Sequence, residues 1–279
     1  MGDGRGHWID DDNFEQPLPE IDLTRASNAR VYDYVLGGKD HFEVDRRAAE
    51  AMYRVVPETP LIARDNRLQQ HRAVSYLVRE AGIRQIIDLG SGLPAVGNVH
   101  EVAHEIDPQV RVVYVDNDPM VLAHGRAMLA NDETTAVIAA DVRDVEAVFA
   151  APDTIKLIDL AEPFAVIASS LLHYLDDDEA ATTAAAIRER LTPGSYLMLG
   201  NFLDDDEDRA KELERAFMEG DLGGGRFRSW GELQSFFDGL EMVEPGLVYA
   251  NDWRPDEETP EDSPVHTLYA VGMAQKPTG

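Results

Sequence analysis

Four short segments carry residues whose types and spacing could hold a small polar ligand. In Ile86-Ile87-Asp88-Leu89-Gly90-Ser91-Gly92-Leu93-Pro94 an apolar run reaches a carboxylate and then two glycines. A strand that turns sharply into a helix beside a ligand needs glycine there, because a Cβ would block the approach. Asp88, Gly90, Ser91, Gly92 and Leu93 are therefore binding candidates. With Ala95 the segment also satisfies a loose G-x-G-x-x-A dinucleotide pattern, so on this motif alone a nicotinamide cofactor stays open.

The second segment is Val112-Val113-Tyr114-Val115-Asp116-Asn117-Asp118-Pro119. A carboxylate at a strand end can accept both hydroxyl protons of a ribose, which makes Asp116, with Asn117 beside it, the sugar-binding candidate. Asp118 precedes a proline and has the profile of a helix N-cap. In the third, Ala139-Ala140-Asp141-Val142-Arg143, Asp141 can accept from the exocyclic amine of an adenine and Val142 can cover a ring face. Its competing role is the N-cap of a helix near 145–149. The fourth runs from Pro163 to Leu175 and places Ser169 to Tyr174 just past a strand, beside any ligand at the carboxyl ends, with Ser169 and Ser170 as binding candidates. His173 follows and is a general-base candidate, since an unperturbed imidazole titrates near working pH; its competing role is a packed histidine. Tyr32 and His41 are further proton-transfer candidates in a polar, glycine-broken stretch that could close over a site. Arg64, Asn66, Arg67 and Arg72 share one helical segment, and an arginine among them could clamp a ligand carboxylate.

These residues need a frame. From residue 84 onward, short apolar runs at 85–89, 111–115, 136–140, 164–169 and 196–199 alternate with helical stretches, which predicts a mostly parallel sheet covered on both faces. Runs at 240–249 and 265–273 are joined by an acidic, proline-rich loop without a crossover helix, so they must pair antiparallel. A terminal hairpin of that kind separates S-adenosylmethionine (SAM) enzymes from dinucleotide dehydrogenases, and an acid at Asp141 points the same way. Before the sheet, residues 27–36, 40–55 and 60–81 read as three helices punctuated by Gly37-Gly38, Pro57 and Gly82. The expected organisation is an acidic arm over 1–20, a helical cap over 21–82 and a nucleoside-binding core over 83–279. The acid clusters at Asp176 with Glu179, Asp204 with Glu207, and Ser229 with Glu232 read as capping boxes, not metal sites.

Composition narrows the partners. The chain has 279 residues, no cysteine, and 53 acidic against 25 basic residues, a net charge of −28. Such a surface repels phosphate backbones and anionic lipid, so neither nucleic acid nor membrane is an expected partner. The absence of cysteine excludes thiolate metal sites and disulfides. No apolar run is long enough to span a bilayer, the first residues lack the pattern of a secretory signal, and a cytoplasmic location is expected.

The four blocks in this order resemble the class I SAM-dependent methyltransferases. More narrowly, Ala29-Arg30-Val31-Tyr32-Asp33-Tyr34-Val35-Leu36-Gly37-Gly38-Lys39-Asp40, Gly90-Ser91-Gly92-Leu93-Pro94-Ala95-Val96-Gly97-Asn98-Val99-His100-Glu101 and Trp253-Arg254-Pro255 resemble the actinobacterial S-adenosyl methyltransferase family DUF574. The resemblance covers about 22–275. It implies a Rossmann-like α/β fold with a seven-stranded, mostly parallel sheet, a C-terminal antiparallel hairpin and a helical cap over the cofactor cleft. It assigns Gly90 and Gly92 to the methionine end of SAM, Asp116 to the ribose and Asp141 to the adenine, with S-adenosylhomocysteine (SAH) as product. Ala95 and His41 depart from the family pattern, which has a hydroxyl residue and asparagine there. The implied acceptor is a small molecule of unstated identity. A non-catalytic SAM sensor is the alternative.

Overall fold

The computed structural model describes residues 21–95, 97–129, 133–220, 222 and 224–279. The expected acidic arm over 1–20 lies outside them. Three helices come first: α1 (Asn28–Val35), α2 (Glu43–Val55) and α3 (Thr59–Arg79). Ser27 caps α1 by accepting from the Arg30 N–H, and Gly37 and Gly82 follow α1 and α3 with φ of +80° and +71°, where a residue with a Cβ would be strained. Helix α2 starts at Glu43, three residues later than its pattern suggests, because the Asp45 carboxylate accepts the Phe42 N–H and defines the cap there.

The alternating half follows as β1 (Gln85–Leu89), α4 (Val99–His104), β2 (Arg111–Asp116), α5 (Pro119–Met128), β3 (Thr135–Ala139), α6 (Val145–Ala150), α7 (Pro152–Leu157), β4 (Ala165–Ser169), α8 (Asp177–Arg190), β5 (Tyr196–Phe202), α9 (Glu207–Glu219), α10 (Trp230–Ser235), β6 (Glu241–Met242), β7 (Val248–Tyr249) and β8 (Tyr269–Gln275). The sheet order is β3-β2-β1-β4-β5-β8-β6, with β7 also on β8. Strands β1 to β5 pair in parallel, while β8 runs antiparallel to β5, β6 and β7. This is the expected Rossmann-like sheet with an antiparallel C-terminal end. β1 and β4 are neighbours at the point where strand order reverses, and such a crevice at the carboxyl ends takes ligands.

Both faces are buried because successive side chains alternate. Ile86, Val112, Ile167 and Met198 face a cluster shared with Val31, Met52 and Leu77 of the first three helices. Ile87, Val113, Val166 and Leu197 face a second cluster with Val148, Ile187 and Phe236. The leading helices thus share one continuous core with the sheet.

Three sequence expectations need correction. The run at 240–249 is two short strands, making eight strands where seven were expected. Met242 pairs with Ala274 and Val248 with Val271, so six steps on one strand meet three on the other. The surplus loops out around Pro245 and Gly246, where proline has no N–H to give the ladder. The run at 265–273 begins with a 3-10 turn at His266–Leu268 and pairs only from Tyr269. The Asp176–Glu179 and Ser229–Glu232 capping boxes are present, but α9 has Asp206 as its N-cap, not Asp204.

Candidate active site

The carboxyl ends of β1, β2 and β4 open into a cleft of about 580 Å³, a volume suited to one drug-sized ligand. Gly90 and Gly92 line it at φ of +66° and +68°. The Gly90 N–H donates to the Val115 carbonyl at 2.8 Å and the Ser91 N–H to the same oxygen at 3.2 Å, which pins the turn against β2. The turn is closed from the other side by Asp116. One carboxylate oxygen accepts the Gly92 N–H at 2.9 Å and the other accepts the Asp118 N–H at 2.9 Å. Burial pushes the Asp116 carboxyl up while these N–H groups pull it down. A carboxylate has about four lone-pair sites, so those the backbone N–H groups leave free are open to a ligand's hydroxyls.

Asp118 caps α5, accepting the Met120 N–H at 2.7 Å ahead of Pro119. Its other oxygen takes a hydrogen bond from the Ser27 hydroxyl, tying α1 to the end of β2. α1 is held in turn by the buried Arg30–Asp45 pair at 2.9 Å. The N-terminal end of α1 therefore roofs the cleft, where Asn28 and Tyr32 line it. Asn117, Asp141 and Val142 line the far end. The cap of α6 is Asp144, which accepts the Ala147 N–H, so Asp141 is not needed there. Asp141 instead holds Arg143 through both oxygens at 3.0 and 3.1 Å, and that hydrogen-bonded guanidinium keeps its carboxyl below the usual range.

At the opposite end Asp88 is buried, and desolvation pushes its carboxyl up to about 7, with Arg67 opposing and Asp116 adding to the rise. Of the four helix residues offered as a carboxylate clamp, Asn66 and Arg67 line the cleft. Arg64 is exposed. Arg72 is structural, donating to the carbonyls of Trp253 and Ala250 at 3.0 and 2.8 Å. Ser169 and Ser170 stand at the end of β4 and are wired to Asn66, whose Oδ1 accepts from Ser169 Oγ at 2.7 Å and whose Nδ2 donates to Ser170 Oγ at 3.1 Å.

Three expected site residues are not in the cleft. His173 is 1% exposed and packed among Tyr174, Phe202 and Phe217, with ring centroids 4.0, 4.8 and 5.9 Å away. Neither ring nitrogen has a hydrogen-bond partner, and burial, aided by Arg228, drives the imidazole down to about 3. An imidazole so placed is neutral and too weakly basic to take up a proton at neutral pH, and it does not line the cleft. The 3-10 turn at Leu172–Tyr174 rotates successive side chains apart, so Tyr174 lines the cleft instead. His41 is spent on its own loop: its ring meets the Gly38 carbonyl at 3.2 Å and Arg46 at 3.3 Å. Leu93 packs with Met120 and Val121 in a small satellite core. Of the polar stretch around the Gly37-Gly38 break, only Tyr32 reaches the cleft; Asp33 accepts the Asp40 N–H and fastens the turn.

The expectation that 169–174 lies beside the ligand holds for Leu171 and Tyr174, which line the cleft, while sequence reading missed Gln70, Leu222 and Tyr269. The signal for Gln70 was present: Asn66 and Gln70 are one turn apart on α3, and Asp65, Asn66, Gln69 and Gln70 are all buried polar groups in mid-helix. Tyr269 gave none, since its hydroxyl reaches Ser170 only because β8 inserts beside β5.

Whether a nucleoside cofactor fits can be tested on the cleft itself. Ser91 Oγ and Asn28 Oδ1 are buried cleft atoms without a hydrogen-bond partner, as a polar ligand would require. A Cβ at Gly92 would meet no protein atom within 4 Å, so that side of the turn is open for a ligand. Among the described residues no cluster could hold a metal ion, and no helix is long and apolar enough to cross a membrane. A larger groove, about 980 Å³, lies between α3, α4 and residues 254–258 and contains no strand-end residue.

A family model described as S-adenosyl methyltransferase matches residues 14–277. Among solved structures, a Thermobifida fusca YX protein provisionally assigned as a methyltransferase is 45% identical, covers 92% of this chain and 97% of its own, and superposes with a TM-score of 0.88. A DUF574 family protein from Streptomyces avermitilis MA-4680 is 37% identical over 92% of this chain and all of its own, also at 0.88. An O-methyltransferase family protein from Burkholderia thailandensis, 18% identical over 85% of this chain and 61% of its own with a TM-score of 0.51, shares the fold. No curated protein matches in sequence.

Proposed function

Because the chain belongs to the S-adenosyl methyltransferase family and therefore uses SAM, we propose that its cleft transfers the methyl group to a small-molecule acceptor and releases SAH. The observation that carries this reading is the meeting of the Gly90–Gly92 turn with Asp116, the Gly92 N–H donating to the carboxylate at 2.9 Å. SAM, when bound, supplies a methyl carbon already activated by the sulfonium, so the chain's residues have alignment and water exclusion to provide.

In this reading Asp116 holds the ribose hydroxyls through its remaining lone pairs, with Asn117 beside it. Val142 covers the adenine, and Asp141, turned from Arg143, accepts its amine. Gly90, Ser91 and Gly92 let the backbone approach the methionine end. The buried Asp88 faces the amino group, and Arg67 answers the carboxylate, since a guanidinium fork matches it. The α1 roof and Tyr32 exclude water above the reacting carbon. The cleft's size supports a small acceptor: after a nucleoside little of 580 Å³ remains.

Calorimetry tests this. Wild type should bind SAM and SAH in the micromolar range. Asp116→Ala removes two hydrogen bonds to a charged group, about 1.5–3 kcal/mol each, and should weaken SAH at least about a hundredfold. Wild type that binds neither ligand, or that responds to NAD instead, would sink the assignment.

A further inference from the structure

The hydrogen-bond count on one wall of the cleft leaves a single hydrogen over. Tyr32 Oη lies 3.3 Å from the Ala63 carbonyl and must donate there, so it accepts from Asn66 Nδ2 at 3.0 Å. That fixes the amide orientation, and the second Nδ2 hydrogen goes to Ser170 Oγ at 3.1 Å. Tyr269 Oη accepts the Ser170 backbone N–H at 2.9 Å, so its own hydrogen is free to be given. Ser170 Oγ lies 2.8 Å away and Ser169 Oγ 3.4 Å; either oxygen of the short pair could donate, but Tyr269 is buried with no other acceptor at hydrogen-bond length, whereas Ser170 faces the cleft, so we assign the hydrogen of the short contact to the phenol. Ser170 Oγ therefore receives two hydrogen bonds, which fills its two acceptor sites. Its hydroxyl hydrogen is left to point into the cleft that Ser170 lines. The arrangement is held at a cost: Ser170 sits at φ +53°, a region non-glycine residues rarely adopt and one that marks functional sites.

The surroundings say what would meet that hydrogen. Tyr32, Tyr174, Leu171 and Leu222 give this part of the cleft aromatic and aliphatic walls. Burial raises both phenols far above neutrality, so neither accepts a proton from a bound molecule. With His173 sealed in the core, the described residues of this wall offer donors and no base.

We propose that Ser170 is the specificity-determining donor on the acceptor side, and that the acceptor is a small, flat, largely apolar molecule presenting a lone pair to it. A carboxylate or carbonyl oxygen or a ring nitrogen meets that requirement; an ammonium group does not. The inference rests on the SAM reading and needs its own test.

The probes are benzoate and benzylammonium, which share a ring and oppose each other in hydrogen-bonding sense. Ligand-observed saturation-transfer NMR is run on the full chain with SAH at saturation, its occupancy checked by calorimetry in each variant. Wild type should bind benzoate in preference to benzylammonium. Ser170→Gly, which tolerates the positive φ, should lose at least fivefold of the benzoate signal. Ser170→Asn and Ser170→Asp are near-isosteric and both tolerate this backbone region; the first keeps a donor and should keep benzoate, the second should prefer benzylammonium. Benzoate binding unchanged in Ser170→Gly, a wild-type preference for benzylammonium, or no probe binding to the SAH complex would each overturn the proposal. Failure of wild type to bind SAH is a separate result and overturns the cofactor reading beneath it.

Discussion

Alanine at Gly90 and at Gly92 should injure the protein in different ways. Both residues sit near φ +67°, and forcing a Cβ into that region costs roughly 1–2 kcal/mol. At Gly92 that is the whole cost to the fold, because a Cβ would meet nothing within 4 Å. At Gly90 the Cβ would lie 2.6 Å from Leu171 Cδ1 and 3.2 Å from Cδ2 and Cγ. Leu171 is a flexible side chain and can give way, so the added cost is that of overpacking, about 1–3 kcal/mol. Gly92→Ala should thus lose about 1–2 kcal/mol and Gly90→Ala about 2–5 kcal/mol. In a chain of this size each kcal/mol moves the melting temperature by roughly 2–4 °C, so differential scanning calorimetry resolves the two. The open side of Gly92 is the cleft, and its new methyl should cost SAH affinity beyond the stability loss, read by titration calorimetry. Equal melting temperatures for the two variants would refute the packing argument. Wild-type SAH affinity in Gly92→Ala would refute the claim that the turn carries the ligand.

Asp88→Asn tests the buried acid. Burial raises its folded pKa to about 7 from an ordinary 3.8, so its neutral form stabilises the fold below pH ~4 and that contribution is lost as pH rises to about 7. The variant should gain on wild type through that window, by up to the order of 4 kcal/mol, then run parallel; a pH-independent difference in denaturant midpoints would contradict it. His173 has the opposite sign, its folded value lying near 3, so wild type loses stability as pH falls below about 6.5. His173→Phe should be more stable than wild type at pH 5 and still bind SAH; lost SAH binding would return His173 to the site. Arg67→Ala should weaken SAH at least tenfold and also lower the melting temperature, since it releases the Gly97 carbonyl at 2.8 Å and Gln70 at 3.1 Å. Arg72→Ala should cost stability and leave SAH affinity near wild type, since it strands two buried carbonyls at about 1–3 kcal/mol each. Labelled SAM incubated with cell extract should yield methylated product and SAH, whereas a sensor would bind without turnover.

Much of this protein is legible in one dimension because the signals are local. The strand at 85–89 and the helix over 59–79 follow from hydrophobic period and glycine punctuation, and Asp118 with Pro119 reads as a cap since capping is settled within four residues. The strand-end positions of Asp88, Asp116, Asp141 and Ser169 follow from the same reasoning, for a parallel sheet sends all its carboxyl ends to one side. Orientation within a turn is not local. His173 and Tyr174 are adjacent, and only the packing of Phe202 and Phe217 decides that the histidine goes into the core and the tyrosine to the cleft. Likewise Arg67 and Arg72 sit on one helix, yet the loop bearing Ala250 and Trp253, some 180 positions later, takes Arg72 into the structure while Arg67 lines the cleft and donates to the Gly97 carbonyl. The spare hydrogen on Ser170 depends on α3, β4 and β8 at once. Sequence by itself determined the elements and which strand ends carry acids, because backbone propensity and side-chain period act over a few residues; tertiary structure alone decided which neighbouring polar group meets the cleft, because that choice is made by desolvation and hydrogen-bond satisfaction among residues far apart in the chain.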